Sequence, residues 1–456
     1  MQRRTDLFPA IAAAVLLAAG ISTGRADSFL NWAEYPPMGW NSWDCFGCTV
    51  TEPQVKTIAD YMAAKLAVHG WQYVVVDIQW YTSQSSGWNY DPTAKPLIDG
   101  YGRLLPDPVK FPSAADGKGF GPLADYIHAR GLKFGVHLLR GIPREAVSLN
   151  APILGTSHHA AEIADTNSIC AWNPDMYGVD MTKPGAQEYY NSVFRLFASW
   201  GVDFVKVDDL GRPYRKAEIK AIRKAIDRSG RPMVFSISPG PTPLPEAENV
   251  THNANMWRLT DDFWDNWDLL KKSFDTCNAW TPYRGLGHWP DPDMLPLGAV
   301  RVGPKMEHHW TNFTPDEQKT LMTLWCVSRS PLIFGGYLPW NDSFTESLIT
   351  NDKVLAVDKF SRQNHQLFRK NGLIAWTAQV PGSHDRYLAL FNIQNNSNVI
   401  SVPLNMLGFK APAKVRDLWA QHDLGTFEQI FSQTIPAHGA ALFRVSSPGS
   451  SKIHDH

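Results

Sequence analysis

Six apolar, β-branched runs separated by helix-forming stretches constrain this chain more than anything else in its 456 residues. They lie at 73–77, 132–137, 204–208, 233–238, 256–260 and 332–334. Strands that read as continuous apolar runs, with helices between them, belong to parallel sheets covered on both faces. Less regular strand-like segments at 38–43 and 293–297 bring the number to eight. When consecutive βα units close into a barrel, their strand C-termini converge on one face, and side chains there build the active site.

The helices carry their own punctuation. Thr51 with Gln54 forms a capping box, Pro53 fits the first turn, and Val55, Ile58, Met62 and Leu66 line one face. Ile219, Ile222 and Ile226 do the same ahead of Gly230, a helix stop. After about residue 360 the texture changes to short alternating runs such as Leu373-Ile-Ala-Trp-Thr-Ala and Tyr387-Leu-Ala-Leu-Phe-Asn, set apart by Gly, Asn, Ser and Pro. That antiparallel signature predicts a β-sandwich at 361–446 behind an α/β barrel at 28–360, with a loose polar tail at 447–456.

Two of the runs end on aspartate, Phe204-Val-Lys-Val-Asp208 and Met256-Trp-Arg-Leu-Thr-Asp-Asp262. Two carboxylates on one barrel face can divide the work of acid and nucleophile at a glycosidic bond. Asp after a strand is also a good helix N-cap, a part open to Asp209, Thr260 or Asp261. Lys206 shifts the balance. It lies two residues before Asp208 on the same strand face, where a cation holds a nucleophilic carboxylate ionised.

Composition removes several other classes. A net charge of -1 creates no field for nucleic acid or an anionic membrane, so neither is an expected partner; it is the two-carboxylate reading that calls for an oligosaccharide or polysaccharide substrate, with an oligomer left open. Met1-Gln-Arg-Arg4, an apolar run from about Phe8 to Ile21 and small residues up to Ala26 have the layout of a secretory signal peptide at 1–27, which predicts a secreted or periplasmic protein. Five cysteines leave at least one unpaired. Cys45-Phe-Gly-Cys48 reads as a local disulfide or two buried thiols rather than a redox or zinc site. His252, His288, His308 and His309 lack helical ligand spacing beside a carboxylate, so no metal is expected.

Five motifs in order carry a family resemblance: Pro37-Met-Gly-Trp-Asn-Ser-Trp43, Lys206-Val-Asp208, Trp257-Arg258 followed by Asp262, Trp289-Pro-Asp-Pro-Asp293-Met294, and Thr314-Pro-Asp-Glu-Gln318 with Leu324-Trp325. From about Pro36 to the end of the sandwich the chain resembles glycoside hydrolase family 27, the α-galactosidase or melibiase family. The resemblance implies a (β/α)8 TIM barrel followed by an antiparallel β-sandwich, a retaining double displacement releasing terminal α-D-galactosyl residues, and no cofactor. Carried over residue by residue, it implies Asp208 as nucleophile and Asp262 as general acid/base. Lys206 and Arg258 then contact sugar hydroxyls, Trp43 walls the sugar, Asp77 is the first carboxylate of a hydroxyl-binding pair, and Asp293 with Met294 closes the pocket near the acid. A retaining site holds its carboxyls about 5 to 5.5 Å apart, and the acid must keep its proton until the leaving oxygen takes it, which calls for burial beside an anion.

The chain departs from the family pattern where specificity is set. The usual Asp-Asp-Cys-Trp after strand two is Asp77-Ile78-Gln79-Trp80, so the second sugar-binding carboxylate and a disulfide cysteine are gone. Strand three ends in His137-Leu-Leu-Arg140 where Tyr-Ser-Asp or similar is usual, Leu210 replaces a cysteine, and Ser236-Ile-Ser238 replaces a Cys-Glu-Trp pattern. Ile78, His137 and Ser238 are therefore candidate glycone-binding residues. Within the family the rivals are a β-L-arabinopyranosidase, favoured by the apolar Ile78, an α-N-acetylgalactosaminidase, for which Ser238 leaves room, and an isomaltodextran-cleaving enzyme. A catalytically inactive sugar-binding protein is the rival from another class, and the presence of both Asp208 and Asp262 speaks against it. Residues 141–183 exceed a minimal βα connection and carry Arg144, Asp165, Trp172, Asp175 and Tyr177; they are expected to shape substrate access or to form an oligomer contact.

Overall fold

Eight parallel strands wall the N-terminal domain in a computed structural model that describes residues 29–410 and 412–448. The expected signal peptide and residues 449–456 of the expected tail lie outside the described residues. The strands are β1 (Met38–Asn41), β2 (Tyr73–Val76), β3 (Lys133–Leu139), β4 (Phe204–Asp208), β5 (Val234–Ile237), β6 (Met256–Arg258), β7 (Trp289–Asp291) and β8 (Leu332–Phe334). Their order is β7-β6-β5-β4-β3-β2-β1-β8. The ring closes just after β7, where the Leu295 N–H donates to the Ile333 carbonyl at 2.8 Å and the Gly335 N–H donates to the Leu295 carbonyl at 2.9 Å. The seventh strand is thus earlier than the expected 293–297, of which only Leu295 bridges to Phe334. Pro290 lies within β7 and Pro292 ends it, a composition that reads as a breaker; the strand accepts proline because its ladder runs along β6 alone.

Each strand leads to a helix on the outside. The helices are α1 (Glu52–Tyr61), α2 (Gly121–His128), α3 (Ala186–Ser199), α4 (Lys216–Asp227), α5 (Ala247–Thr251), α6 (Trp267–Trp280), α7 (Pro315–Ser328) and α8 (Asp352–Phe360). The capping box at α1 is formed, with the Thr51 N–H donating to Gln54 Oε1 at 2.9 Å, and Val55, Ile58, Met62 and Leu66 are buried against the barrel. On α4, Ile219, Ile222 and Ile226 are buried likewise. Each such side chain contributes about 1.5 to 3 kcal/mol of burial. Inside the barrel, Tyr73, Val75, Phe204, Val234, Met256 and Ile333 pack together as a plug beneath the C-terminal face, so that face is a floor for side chains and not a pore.

The second domain has eight antiparallel strands: β9 (Arg362–Lys370), β10 (Leu373–Gln379), β11 (Arg386–Asn392), β12 (Asn398–Pro403), β13 (Ala413–Asp417), β14 (His422–Phe427), β15 (Ile430–Ile435) and β16 (Ala440–Ser446). Six form one sheet in the order β9-β10-β11-β16-β13-β14, and β12 pairs β15 in the other. Leu388, Leu390, Val402, Val415, Phe431 and Phe443 fill the space between them. The outer face of the larger sheet packs on the barrel, with Phe391 edge-on to Phe274 of α6 at 5.0 Å and the Trp419 indole N–H donating to Thr323 of α7 at 3.0 Å.

All five cysteines are free and buried, so Cys45 and Cys48 are two thiols and not a disulfide. Residues 141–183 fold into a three-stranded antiparallel sheet, Ile142–Pro143, Met176–Val179 and Ala164–Ile169. The buried Asp175 fastens it to the second barrel loop by accepting from Gln79 Nε2 at 2.6 Å and the Tyr81 hydroxyl at 2.7 Å. No helix among the described residues is long and apolar enough to cross a membrane.

Candidate active site

Strand alternation sends Lys206 and Asp208 of β4 to the same face, and parallel register sets His137 of β3 opposite Lys206. Asp77 follows β2 directly. These four groups form one charged cluster. The Lys206 ammonium donates to Asp77 Oδ2 at 2.9 Å and lies 3.9 Å from Asp208 Oδ2. His137 Nε2 lies 2.7 Å from Asp208 Oδ2 and 4.0 Å from Asp77 Oδ1, and Asn41 Nδ2 donates to Asp77 at 2.7 Å. Burial pushes the Asp208 carboxyl up, but the Lys206 ammonium, His137 and a hydrogen bond from Ser238 outweigh it and hold it well below the usual carboxylate range. Asp77 is lowered by the same balance, burial opposing Lys206 and His137. Lys206 is pushed up, because Asp208 and Asp77 more than offset its own burial. The result is an ionised carboxylate with its countercharge already in place.

A second cluster centres on Arg258, at the end of β6. Its guanidinium pairs with Asp293 Oδ2 at 2.8 Å and Asp262 Oδ1 at 3.2 Å, and reaches Ser238 Oγ at 3.4 Å. Ser238 also helps to lower Asp208, so it lies where the two clusters meet, with Arg258 reaching on to Asp262. Asp293 also accepts the Phe263 N–H at 2.7 Å, which ties the β7 loop to the loop carrying Asp262. The expected burial of Asp262 is not found: its side chain is 59% exposed, because the residue has left the strand and stands at the rim. Burial falls instead on Asp291, whose carboxyl desolvation and the neighbouring Asp293 push up to about 7 against the pull of Arg258. Asp293 is raised by burial despite Arg258, and Asp44 is raised by burial and by Asp293.

Trp43, partly buried at the head of the first loop, packs edge-on to Trp88 at 5.0 Å and near-parallel to Tyr90 at 6.3 Å, and it also touches the cluster containing Met294. Ile78 is 2% exposed and its side chain belongs to the main hydrophobic core, while its N–H donates to Asp77 Oδ1 at 2.8 Å, so its backbone adjoins the charged cluster. Of the neighbours that could replace a carboxylate there, Arg140 is turned away to Asp209 and Glu218 at 2.7 and 3.1 Å, and His137 is held by Asp208 through Nε2, while Gln79 is fixed to Asp175 through Nε2 and keeps its Oε1 unpartnered. No residue of the trio open to capping caps a helix: Asp209 pairs with Arg140, Asp261 pairs with Arg212, and the Thr260 carbonyl accepts from Arg258. Asp77, His137 and Asp208 offer ligand atoms within 4.8 Å of one another, a grouping among the described residues that the spacing of the other histidines did not suggest. The Lys206 ammonium already supplies a cation to it.

Of the residues that the sequence points to, Asp77, His137, Lys206, Asp208, Ser238, Arg258, Asp262, Asp293, Met294 and Trp43 come together at this face, whereas Ile78 reaches it through its N–H and buries its side chain in the main core. Sequence reasoning missed Asn41, Asp44, Asp291, Trp88 and Tyr90. Asn41 and Asp44 flank Trp43, and Asp291 lies inside the Trp-Pro-Asp-Pro-Asp motif, so both signals were present. Trp88 and Tyr90 sit in an irregular loop with no periodicity to mark them.

Two family models match the chain: alpha galactosidase A over residues 35–180 and 175–360, and the alpha galactosidase C-terminal beta sandwich domain over 370–445. Among solved structures, a family 27 β-L-arabinopyranosidase from Geobacillus stearothermophilus is 52% identical, with a TM-score of 0.91 over 94% of this chain and 100% of that one. A proposed α-N-acetylgalactosaminidase from Bacillus halodurans C-125 is 46% identical, with a TM-score of 0.82 over 91% of this chain and 97% of that one. Among curated relatives, the alpha-galactosidase of Cyamopsis tetragonoloba is 28% identical over 90% of this chain and 85% of its own length.

Proposed function

Because the chain belongs to glycoside hydrolase family 27, the alpha galactosidase A family, we propose that it is a retaining exo-glycosidase whose preferred glycone is β-L-arabinopyranose rather than α-D-galactose. Asp208 is the nucleophile: it is ionised, and its carboxylate is oriented by His137 and Ser238. Asp262 protonates the departing glycosidic oxygen and then takes the proton of the incoming water. Its position at the rim lets it reach the leaving group, and a bound substrate would shut out the water that now surrounds it. Lys206 and Asp77 bind ring hydroxyls from the floor, Arg258 and Asp293 from the side of the acid, and Trp43 lies against the apolar face of the sugar.

Ile78 carries the choice of glycone. α-D-galactose and β-L-arabinopyranose share their ring hydroxyl arrangement, and only galactose has the C6 hydroxymethyl group. A carboxylate at this position rewards that group; a buried isoleucine offers no acceptor and fills its space. The likeness to the Geobacillus stearothermophilus enzyme over nearly the whole chain supports the same reading. Ser238, a small residue beside Asp208, favours the 2-acetamido sugar as the second reading, supported by the Bacillus halodurans relative. Export, as the layout of residues 1–27 suggests, would place the enzyme where oligosaccharide and polysaccharide chains are met.

The test is kcat/KM of the wild type on the nitrophenyl glycosides of β-L-arabinopyranose, α-D-galactose, N-acetyl-α-D-galactosamine and α-D-glucose. The arabinopyranoside should exceed the galactoside by about tenfold or more. A preference for galactoside, or for the acetamido sugar, removes this assignment of the glycone.

A further inference from the structure

Lys110 is a buried cation without a carboxylate bonded to it. It is 6% exposed, and its ammonium donates to the Cys48 carbonyl at 2.5 Å, the Gln79 carbonyl at 2.7 Å and Ser85 Oγ at 3.2 Å. Three ammonium protons thus meet three oxygens. The acceptors belong to two barrel loops. Cys48 lies in the connection from β1 to α1, five residues after Trp43, while Gln79 and Ser85 lie in the connection from β2 to α2, directly after Asp77 and Ile78 and before Trp88. The same two loops touch elsewhere: the Cys48 N–H donates to the Gly87 carbonyl at 2.9 Å, Ser85 Oγ donates to the Cys48 carbonyl at 3.1 Å, and a Cβ on Gly47 would stand 2.5 Å from the Gly87 carbonyl. Taking an ammonium out of water without a bonded counter-anion is costly, and apolar contacts alone could fill that volume.

We propose that the Lys110 ammonium is a positioning cross-link which, by holding the Cys48 and Gln79 carbonyls together, sets the spacing between Trp43 on the first loop and Asp77 and Ile78 on the second, and through it the fit of the glycone. The proposal rests on the reading of the barrel mouth as the glycone pocket. Lys110 touches no substrate and acts through those three residues.

The cross-link is tuned to a range of pH. Burial lowers the Lys110 ammonium to about 8 against the opposing pull of Cys48 and Asp107. The Cys48 thiol on the first loop is itself pushed up to about 12 by burial, and Glu52, whose N–H donates to the Lys110 carbonyl, has its carboxylate taken by Lys56 and the Ser113 N–H. A neutral amine keeps two donors for three acceptors and loses the charge assistance, so the link weakens as pH rises through about 8. Its effect on stability has the opposite sign. The unfolded lysine keeps its proton to about 10.4, so between about pH 8 and 10 the unfolded chain binds more protons, and this group adds stability as pH rises. A lysine that served the fold alone would not lower activity over the range in which it raises stability.

The experiment measures kcat, KM and melting temperature from pH 6 to 10 for the wild type, Lys110→Met, Lys110→Arg and Ser85→Ala, on the nitrophenyl glycoside that the wild type hydrolyses best. Lys110→Met should raise KM about tenfold or more with a smaller change in kcat, and should lose the fall in kcat/KM near pH 8. Lys110→Arg, charged throughout, should also lose that fall while keeping a lower KM than the methionine variant. Ser85→Ala removes an acceptor that favours the charged form and should move the fall to lower pH. A methionine variant with the wild-type KM and pH profile overturns the proposal. Should that variant not fold, an unchanged profile in both of the other variants overturns it. A wild type inactive on every glycoside instead defeats the functional reading, and the same comparison then passes to binding of free L-arabinose followed by tryptophan fluorescence, where variants binding like the wild type at every pH overturn the cross-link.

Discussion

Replacing Ile78 by aspartate restores the acceptor that a galactose-binding pocket uses, and the size of the effect can be worked from what surrounds the position. Hydrogen bonds from hydroxyls to a charged group contribute roughly 1.5 to 3 kcal/mol, which alone would favour the galactoside by roughly 10- to 150-fold. The surroundings take part of this back. The new carboxyl would stand in a site that is 2% exposed, next to Asp77, whose Oδ1 accepts the residue 78 N–H. Burial and the neighbouring Asp77 anion push such a group toward its protonated form, while Lys206 and His137, which lower Asp77, pull the other way only in part. The lower end of the range therefore applies: the ratio of kcat/KM for α-D-galactoside over β-L-arabinopyranoside should rise by about tenfold in Ile78→Asp. The variant should also lose about 2 to 4 kcal/mol of stability, since it trades a buried apolar group for a polar one. Ile78→Asn, which offers an acceptor without the charge, should shift the ratio less. The assay is steady-state kinetics on the two nitrophenyl glycosides, with melting curves to show that each variant is folded. A folded Ile78→Asp with an unchanged ratio would mean that another residue sets the glycone.

Asp262→Ala should slow substrates with poor leaving groups far more than those with good ones, because only the former need the proton; a series of aryl glycosides gives the slope, and equal losses across it contradict the acid role. Lys206→Met removes the cation that holds Asp208 down, so the acid limb of kcat/KM should move to higher pH, and a limb that stays in place would show that Lys206 does not control Asp208. Asp291 is raised to about 7 in the folded protein, so its contribution to stability is fully present below about pH 4 and is lost as pH rises through about 7. Asp291→Asn mimics the protonated acid, keeps an oxygen for the Asp293 N–H, and should flatten the decline in unfolding free energy between pH 4 and 8 by an amount on the order of 4 kcal/mol at most; an undiminished decline in denaturant titrations would show that Asp291 is not its source.

The barrel was legible because its strands are apolar on both faces and end in polar residues, a pattern that Phe204-Val-Lys-Val-Asp208 displays in five residues. The seventh strand was not, because Trp289-Pro-Asp-Pro carries two residues that normally stop a strand, and only its one-sided pairing makes it possible. The site followed the same rule. Strand periodicity placed Lys206 beside Asp208, and the parallel register then brought in His137. Asp262 lies beyond the strand, where periodicity says nothing about burial, and the expectation of a buried acid failed there. Asp291 shows the reverse: it is in a strand, it is buried, and its neighbour in sequence hid it. Lys110 could not have been found from spacing, since what makes it unusual is that three loop oxygens converge on it.

The most direct measurement is Asp208→Ala assayed with and without azide. Turnover of an activated glycoside should fall by about a thousandfold or more. Azide should restore part of it, since a small anion can attack where the carboxylate stood, and the product should be a glycosyl azide of configuration opposite to that of the substrate. Near-normal turnover in the variant, or a rescued product that keeps the substrate's configuration, would contradict Asp208 as the nucleophile of a double displacement.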